Sequence, residues 1–550
     1  MTSGRKLAEG SVDRMPGDVQ RLRALETRLR EVFAQAGYEE VEPPLLELWE
    51  QLDTGAIGAD ACYQTTDRMG RTLVLRPEFT TQIARMALGS MSARMETEAL
   101  RLCALGTVFE PGEGTRPPRP ITQADVEFFG DGGAQDDQAS AELIALAVQS
   151  MRACGLPSFS IEIGHAGFLR ALLSEAGLTP TQSAEVIACA ERRDSLGLEL
   201  TLRTMPLNED TRARIAALPG WFGGEDILDE AEAWCGGPES RAALSQLRGV
   251  VRALGGMGLG DIIVADLGMA HAMDYYTGVI FRGLTRHLGA PLLSGGRYDG
   301  LMELLSSHAS SPSQDERPKG GAGFAIDVTA LDEALRSGTE AAQEDGGLLT
   351  FALAKGRLGD KALALLRASG FDVPDIDESS RKLVHTNARG DRFLLVKPGD
   401  VPAYVDGGVA DIGVVGKDTL MEENRPLCEV LDLGYGVCRL CIAGYPDQNH
   451  AGRHLRVATK YPGVARQYYE QKSQPIEIVK LSGSIELAPV MGLSDVILDI
   501  VESGGTLRAN GLDVLEEIGR CSARLVVNRV SMKTKAQRVR DLLRSLRGAL

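Results

Sequence analysis

One stretch decides the fold of the C-terminal part of the chain: VILDIVESGGTL, residues 496–507. Its apolar first half predicts a buried strand, the Glu-Ser-Gly-Gly segment predicts a tight turn, and a helix is expected to open near Leu507. A strand–turn–helix unit of this kind directs backbone N–H groups and the hydroxyls of Ser503 and Thr506 at an anion. A glycine-rich turn is also common where no ligand binds, so spacing alone leaves both interpretations open.

Two carboxylates extend this turn into a candidate sugar-phosphate site. Asp499 and Glu502 suit the vicinal hydroxyls of a ribose or a hydrated magnesium ion. Turn and carboxylates together predict a cradle for a ribose 5-phosphate. The candidate cradle consists of Asp499, Glu502, Ser503, Gly504, Gly505, Thr506 and Leu507.

Apolar runs around this segment alternate with helical patterns from Leu348 onward. The alternation predicts a parallel or mixed sheet covered by helices. Polar and basic residues follow several of the runs, and open α/β sheets bind ligands at such carboxyl ends of strands. Taken singly, each of these cations is more often a solvated surface charge. The candidate ligand contacts at the strand ends are Lys355, Gly356, Arg357, Arg381, Lys417, Lys460, Tyr461, Gly483, Ser484 and Glu486.

Six motifs in this part carry a family resemblance: KGRL (355–358), SRKL (380–383), DVPAYVDGGVADIGVVGKD (400–418), ATKYP (458–462), GSIELAP (483–489) and ESGGTLRANGLDVLEE (502–517). Their order resembles that of ATP phosphoribosyltransferases across residues 348–550. The resemblance implies a two-lobed α/β domain, hinged like a periplasmic binding protein, with lobes of about 348–440 plus 525–550, and 441–524. It also implies transfer of phosphoribosyl from phosphoribosyl pyrophosphate to N1 of ATP, the first step of histidine biosynthesis.

The resemblance also assigns roles to individual residues. Arg357 and Arg381 match the arginines that stabilise the leaving pyrophosphate, and either could act across a dimer interface. Because N1 of adenine is already a nucleophile, we expect catalysis by positioning and charge. Mg²⁺ is expected to bridge the pyrophosphate, with no metal site fixed by protein alone. Ala354 and Lys397 depart from the family pattern without removing a charge.

Four segments of the N-terminal part carry a second resemblance: LRPEFT (75–80), TQADVE (122–127), MDYYTG (273–278) and GGRYDG (295–300). Their order resembles the class II core of histidyl-tRNA synthetase, an antiparallel sheet with helices, over residues 1–331. A helical insertion is expected at about 166–254. The polar segment GTEAAQEDGG (338–347) lacks apolar periodicity, so an interdomain linker is expected at 332–347.

The second resemblance implies a histidine pocket without synthetase chemistry. The pocket residues would be Glu78, Thr80, Gln123, Glu127, Tyr275 and Tyr276, although the same residues could be ordinary buried polar groups of a sheet. Adenylation needs cations on the α-phosphate of ATP. Where the synthetases carry arginines, this chain has Glu110, His271 and the pair Thr329-Ala330. We therefore expect a regulatory domain in which histidine, the end product, inhibits the transferase.

Composition and charge exclude several classes of protein. With 550 residues, 43% of them hydrophobic and 25% charged, the chain predicts a globular protein of several domains. A net charge of −17 disfavours a polyanion such as tRNA, which requires clustered cations. Nine scattered cysteines predict a reducing, cytoplasmic location. No apolar run approaches the ~18 residues of a membrane span, so neither a membrane nor a targeting segment is expected.

Two local patterns have a simple structural interpretation. The pair Cys438-x-x-Cys441 lacks the second pair of a zinc site and predicts a strand. The basic stretch from Arg529 to Arg547 alternates with leucine and valine, which predicts the polar face of a terminal amphipathic helix.

The sequence is compatible with two alternative functions. A two-lobed fold also serves solute-binding proteins, and a synthetase-like core could bind RNA. Arg357, Arg381 and the loop 502–507 favour the transferase over the first, and the lost arginines disfavour the second. The short-form transferases that this chain resembles lack a regulatory domain of their own. They assemble with a synthetase-like subunit as a hetero-octamer, so a homotetramer of fused chains is expected here.

Overall fold

The computed structural model describes residues 7, 10–52, 62–111, 119–130, 137–191, 194–269, 276–285, 288–307, 320–340, 347–376, 382–446 and 454–550. The chain divides into two compact units, Met1–Glu344 (the first unit) and Asp345–Leu550 (the second unit). Within the described residues, no helix is both long and apolar enough to cross a membrane.

The first unit is built on a nine-stranded sheet, counted over its described residues. Most neighbouring strands are antiparallel, as expected for a class II synthetase core. In sheet order the strands are Glu39–Glu40, Leu100–Glu110, Arg119–Gly130, Gly320–Asp327, Leu293–Arg297, Val279–Leu284, Ser160–His165, Ile263–Asp266 and Phe222–Gly223. A smaller sheet contains Leu46–Leu48, Thr72–Leu75 and Gln64–Thr66.

Helices cover this sheet and bury a large apolar core. The first of them buries Leu22, Leu25, Leu29 and Phe33, which lie on one face of an amphipathic helix. The region predicted as a helical insertion is helical apart from short turns and the strand Phe222–Gly223. The helices are Pro16–Gln35, Trp49–Leu52, Thr80–Leu88, Ser92–Thr97, Asp137–Ala153, Ala166–Glu175, Pro180–Glu191, Ser195–Arg203, Glu209–Ala217, Asp226–Glu232, Pro238–Gly256, Asp299–Ser307 and Val328–Glu340.

The start of the predicted linker is wrong. Residues 332–340 belong to the helix Val328–Glu340, because Val328, Leu331 and Ala334 are fully buried in the core of the first unit. Polar residues between these positions hid the helical spacing. The rest of the predicted linker up to residue 346 lies outside the described residues, and the boundary between the two units falls within it.

The second unit contains two mixed sheets, one in each lobe. The first-lobe sheet has the order Val384–Thr386, Arg392–Val396, Thr350–Ala354, Ile412–Gly416, Ala523–Val527 and Cys428–Asp432. The second-lobe sheet has the order Ile476–Lys480, Leu455–Thr459, Val496–Val501, Cys438–Gly444 and Asp513–Cys521. The helices are Arg357–Ala368, Val401–Asp406, Lys417–Glu423, Pro462–Gln471, Leu487–Val490, Gly505–Ala509, Arg529–Thr534 and Ala536–Ala549.

The predicted lobe boundaries are a few residues off. The strand Cys438–Gly444 lies wholly in the second-lobe sheet, and Ala523–Val527 lies in the first-lobe sheet. The chain therefore crosses between lobes just before Cys438 and again at Ser522. The two crossings run side by side, because the N–H of Ala523 donates to the carbonyl of Tyr435 at 2.9 Å. An apolar run does not reveal which sheet it joins, so the sequence could not fix these crossings.

The predicted strand at Cys438 and Cys441 is confirmed, since both residues are buried in Cys438–Gly444. The interpretation of the basic stretch holds only in part. The last helix, Ala536–Ala549, buries its apolar residues and exposes Arg540, Arg544 and Arg547. Lys535 and Arg538, in contrast, are mostly buried and pair with Asp411 and Asp391.

A substitution at Gly359 tests how closely the helix Arg357–Ala368 packs against the end of the strand Thr350–Ala354. A Cβ at this position would overlap the carbonyl oxygen of Ala354. We expect Gly359→Ala to lower the free energy of unfolding of the second unit by about 2 kcal/mol, since the overlap outweighs the gain in helix propensity. Differential scanning calorimetry measures this, because Trp49, Trp221 and Trp234 report by fluorescence on the first unit alone.

The matched control is Gly548→Ala, in the last helix, where a Cβ would meet no atom within 4 Å. This variant should be neutral or stabilising by up to about 1 kcal/mol. Equal effects of the two substitutions would contradict the close approach of helix and strand.

Candidate functional site

In the first lobe, two candidate cations follow neighbouring parallel strands. Thr350–Ala354 and Ile412–Gly416 pair in parallel, so Lys355 and Lys417 come at the same edge of the sheet. Gly356 has φ +92° and lets the chain turn directly into a helix whose first residue is Arg357. The Arg357 side chain is 92% exposed. Its charge is available to a ligand.

Lys417 is more constrained than the sequence predicted. Its Nζ lies 2.5 Å from Oε2 of Glu429, and only a quarter of its side chain is exposed. Glu429 also lies 3.4 Å from the guanidinium of Arg524. The proposed contact of Lys417 with ATP or pyrophosphate therefore stays a prediction, and it would require the lysine to leave or share this partner.

In the second lobe, three parallel strands end at the other group of candidates. Ile476–Lys480, Leu455–Thr459 and Val496–Val501 are neighbours and run in the same direction. Their carboxyl ends therefore lie along one edge. The residues beyond these ends are Gly483, Ser484 and Glu486, then Lys460 and Tyr461, and then Glu502 to Leu507 of the predicted phosphate cradle. Asp499, the remaining residue of the cradle, lies within the strand Val496–Val501.

The predicted cradle has the expected strand–turn–helix geometry. Gly504 has φ +72° and precedes the short helix Gly505–Ala509, in which Leu507 is buried. The hydroxyl of Ser503 accepts from the N–H of Gly505 at 3.4 Å. Arg508 donates to the carbonyl of Ser503 at 3.0 Å. The guanidinium of Arg508 thus lies against the loop, a cation that the sequence analysis missed although it lies within the motif 502–517.

Charged residues at the strand ends of the two lobes are close enough to influence one another. Burial raises the pKa of Asp499, the negative charges of Glu486 and Asp418 raise it further, and Lys460 acts in the opposite direction. Asp418 belongs to the first lobe, whereas the other three belong to the second. A partly buried, acidic cleft of this kind suits hydroxyl groups or a hydrated cation.

Two carboxylates of the helix Lys417–Glu423 hold the second lobe directly. Asp418 accepts a hydrogen bond from the hydroxyl of Tyr461 at 2.8 Å. Glu422 accepts from the N–H of Gly463 at 2.8 Å and from the N–H of Val464 at 3.1 Å. These two amides open the helix Pro462–Gln471, so Glu422 completes a helix N-terminus across the cleft. We call this group of contacts the lobe clasp.

One further pair spans the cleft. The Arg357 guanidinium lies 4.0 Å from the carboxylate of Glu502, and both side chains are mostly exposed. Such a pair contributes little stability, but it brings a predicted catalytic cation next to the predicted cradle. Arg381, the other predicted catalytic residue, lies outside the described residues.

The lobe clasp was not predicted. Asp418 ends one of the quoted motifs, and Glu422 follows it by four residues, which places both on one face of a helix. That spacing was the available signal, but a single sequence does not show what the face contacts.

The first unit gathers most of the predicted histidine residues. Glu78 accepts from the N–H of Thr81 with both oxygens at 3.1 Å, just before the helix that starts at Thr80. Gln123 and Glu127 lie two residues either side of Asp125 on one strand, and therefore on one face of the sheet. Tyr275 lies outside the described residues.

Aromatic rings and buried carboxylates lie close together among these residues. The rings of Tyr276 and Tyr298 meet edge to face at 6.5 Å between centroids. The hydroxyl of Tyr298 donates to Glu127. Burial raises the pKa of Glu127 to about 8 and also raises the pKa of Glu78. The hydroxyl of Thr80 donates to Glu127 and the backbone N–H of Thr80 donates to Glu78, and both hydrogen bonds oppose the rise in pKa.

At two of the positions where the synthetases carry arginines, the residues of this chain make other contacts. Glu110 forms an ion pair with Arg119 at 2.5 Å. The hydroxyl of Thr329 accepts from the N–H of Thr122 at 3.0 Å. His271 lies outside the described residues. Neither of the two described positions offers a cation to a nucleotide phosphate.

Comparison with known proteins agrees with both halves of this arrangement. The histidyl-tRNA synthetase family model matches residues 10–331, and the ATP phosphoribosyltransferase family model matches residues 397–548. An ATP phosphoribosyltransferase of Lachnoclostridium phytofermentans is 55% identical over 208 residues, which are 37% of this chain and 97% of that protein. The chain belongs to both families, fused in one polypeptide.

Further relatives fit the same division. An ATP phosphoribosyltransferase of Lachnospira eligens is 51% identical over 36% of this chain and 95% of its own length. A crystal structure described as an ATP phosphoribosyltransferase regulatory subunit/histidyl-tRNA synthetase from Bacillus halodurans is 27% identical, with a TM-score of 0.55, and covers 72% of this chain and 94% of its own. The predicted fold classes, the fusion and the pentosyltransferase class are thereby confirmed, and a solute-binding function is set aside.

The contacts of the lobe clasp predict how a substitution at Glu422 affects amide hydrogen exchange. Replacing Glu422 by Ala removes the acceptor of two helix-terminal amides, an interaction worth about 1 kcal/mol. We expect amide hydrogen exchange at Gly463 and Val464 to accelerate about fivefold, measured by NMR or mass spectrometry.

The matched control is Glu423→Ala, because Glu423 pairs with Arg425 inside the same lobe at 3.2 Å. It should leave exchange at Gly463 and Val464 unchanged. Unaltered exchange in Glu422→Ala would show that the clasp does not form in solution.

Proposed function

We propose that the second unit joins ATP to phosphoribosyl pyrophosphate and that the first unit regulates this reaction by binding histidine. The observation that carries the catalytic part is the meeting of strand ends from both lobes, with Arg357 of one lobe 4.0 Å from Glu502 in the candidate cradle of the other. Family membership supplies the reaction class.

The reaction makes few demands on acid–base groups. N1 of adenine attacks C1′ of the ribose, the bond from C1′ to the pyrophosphate oxygen breaks, and pyrophosphate leaves with the electron pair. The products are N1-(5-phosphoribosyl)-ATP and pyrophosphate. Since N1 carries a lone pair, no proton need be removed first, so the barrier falls by alignment and by positive charge around the leaving group.

Different residues would bind the 5-phosphate, the ribose hydroxyls and the leaving pyrophosphate. The loop from Glu502 to Leu507 would hold the 5-phosphate with backbone N–H groups and hydroxyls, and Asp499 would accept from the ribose hydroxyls. Arg357, with Arg381, would stabilise the leaving pyrophosphate. The remaining strand-end residues would contact ATP or pyrophosphate, namely Lys355, Gly356, Lys417, Lys460, Tyr461, Gly483, Ser484 and Glu486.

Magnesium fits this cleft as a shared ligand of protein and substrate. Asp499 and Glu502 offer hard carboxylate oxygens. The part of the chain that the structure describes holds no group of three or more metal-binding side chains. A magnesium ion here would therefore take most of its ligands from pyrophosphate and water. When bound, it supplies positive charge to the leaving group.

The catalytic proposal is tested with purified full-length protein, ATP, phosphoribosyl pyrophosphate and Mg²⁺, by following the absorbance of the N1 adduct. We expect Arg357→Ala to lower kcat about 10²-fold, because one cation on the leaving group is lost. Arg357→Lys should recover part of the loss. No adduct from the unmodified protein would refute the proposed reaction.

The control for Arg357 is Arg544→Ala, at an arginine of the last helix that is 79% exposed and pairs with Asp541. It should turn over like the unmodified protein. A loss as large as that of Arg357→Ala would point to general surface charge rather than a site.

The first unit supports a sensor rather than a synthetase. The candidate pocket retains Glu78, Thr80, Gln123, Glu127 and Tyr276, while Glu110 and Thr329 offer no cation for adenylation. Histidine would change transferase activity only if its affinity differed between two states of the chain. The expected homotetramer would bring several such units together.

Gln123 provides the sharpest test of the pocket, because its Oε1 is buried without a hydrogen-bond partner among the described residues. Gln123→Ala should raise the histidine concentration for half-inhibition about tenfold, since a hydrogen bond to a charged group is lost. Turnover without histidine should stay within about twofold of the unmodified protein.

The matched control is Gln138→Ala, at an exposed glutamine that donates to Glu142. It should leave inhibition unchanged. If Gln123→Ala inhibits like the unmodified protein, histidine acts elsewhere.

A further inference from the structure

The chain passes from the first lobe to the second through residues 433–437, which we call the crossing segment. It has the sequence LGYGV and joins the strand Cys428–Asp432 to the strand Cys438–Gly444. Gly434 has φ +68° and Gly436 has φ +65°, so both lie in the left-handed region that favours glycine. These two residues fix the backbone on either side of Tyr435, whose side chain is half-buried.

Hydrogen bonds attach the crossing segment to the point where the chain returns to the first lobe. The N–H of Leu433 donates to the carbonyl of Ala523, and the N–H of Ala523 donates to the carbonyl of Tyr435, both at 2.9 Å. Just before the segment, Asp432 accepts from the hydroxyl of Ser522 at 2.8 Å. The two crossings therefore support each other, and the backbone at Tyr435 has a defined position.

The side chain of Tyr435 contacts the first turn of the helix that begins at Arg357. Its hydroxyl donates to the carbonyl of Leu358 at 3.2 Å. Nζ of Lys361, which lies on the same helix face three residues later, is 5.7 Å from the centroid of the tyrosine ring. Burial raises the pKa of the Tyr435 hydroxyl, so the group stays protonated and remains a donor at neutral pH.

The backbone of the crossing segment approaches the same turn of the helix. A Cβ at Gly436 would lie only 3.2 Å from Cδ1 of Leu358, which is tighter than an ordinary van der Waals contact. Leu358 is therefore contacted at two points, at its carbonyl by Tyr435 and at its side chain by Gly436. Both contacts join the helix to the segment that connects the lobes.

Arg357 depends on this attachment because little else holds it. Its side chain is 92% exposed, and its one ion pair among the described residues, with Glu502 across the cleft, is 4.0 Å long. We infer that Tyr435 is a positioning residue for Arg357, because it fixes the first turn of the helix to the crossing segment and so holds the guanidinium at the cleft. The inference rests on the proposed role of Arg357 in stabilising the leaving pyrophosphate.

The experiment is a double-mutant cycle in the full chain, measured as the single-turnover rate of N1-adduct formation with ATP, phosphoribosyl pyrophosphate and Mg²⁺. Tyr435→Phe removes the hydroxyl and keeps the ring, so the contact with Lys361 remains. We expect the rate to fall about fivefold, the effect of one neutral hydrogen bond. In Arg357→Ala the same substitution should change the rate by less than about 1.5-fold, because the group that Tyr435 positions is gone.

Two outcomes of this cycle would overturn the inference. A fivefold loss in both backgrounds would show that Tyr435 supports the fold in general and does not act through Arg357. An unchanged rate in Tyr435→Phe alone would show that the hydrogen bond to Leu358 positions nothing. Both outcomes leave the proposed reaction standing, whereas no adduct from the unmodified protein would refute the reaction and the inference together.

Two glycine substitutions test the same attachment from the backbone. Gly436→Ala and Gly434→Ala place a Cβ on residues with nearly equal positive φ, so both carry similar backbone strain. A Cβ at Gly434 meets no atom within 4 Å, whereas one at Gly436 crowds Leu358. We expect Gly436→Ala to slow single turnover about threefold more than Gly434→Ala when Arg357 is present, and equally in Arg357→Ala. Equal rates for the two variants with Arg357 present would contradict the inference.

Discussion

Parallel strand pairing is the constraint on which the catalytic unit depends. Thr350–Ala354 pairs in parallel with Ile412–Gly416 in one lobe, and Leu455–Thr459 pairs in parallel with Val496–Val501 in the other. Parallel neighbours end at the same edge of a sheet. Residues that are distant in sequence therefore meet there, and the lobe clasp holds the two edges face to face. Slipping one strand by a residue would turn its side chains to the opposite face and scatter this arrangement.

The second unit shows which structural features could be predicted from the sequence and which could not. The strands were predictable as apolar runs, and the ligand candidates were predictable because polar residues follow those runs. The lobe crossings were not, since the run at 438–443 is equally apolar whichever sheet it joins. Nor was the partner of Lys417, because Glu429 lies twelve residues away on another strand and nothing in the local pattern connects them. Contacts between elements decide which candidate cations remain available.

In the first unit, the family resemblance was predictable from the sequence, but the contacts of its buried polar residues were not. The order of its synthetase-like motifs was recognisable in the sequence, but the contacts of the polar residues in TQADVE (122–127) were not. Alternation along a strand shows that a residue faces inward, but only the structure shows that Oε1 of Gln123 is buried without a hydrogen-bond partner among the described residues. Loss of the arginines and retention of buried carboxylates have one physical consequence in common. In the proposed pocket, both features favour the ammonium group of an amino acid over a nucleotide phosphate.

The central claim is that one chain couples a histidine pocket to a transferase site, and such coupling is reciprocal. The most direct measurement is the dissociation constant of histidine for the full chain by calorimetry, with and without saturating phosphoribosyl pyrophosphate and Mg²⁺. The account predicts weaker histidine binding in their presence, by the same factor by which histidine weakens the binding of phosphoribosyl pyrophosphate. An identical dissociation constant under both conditions would contradict the coupling.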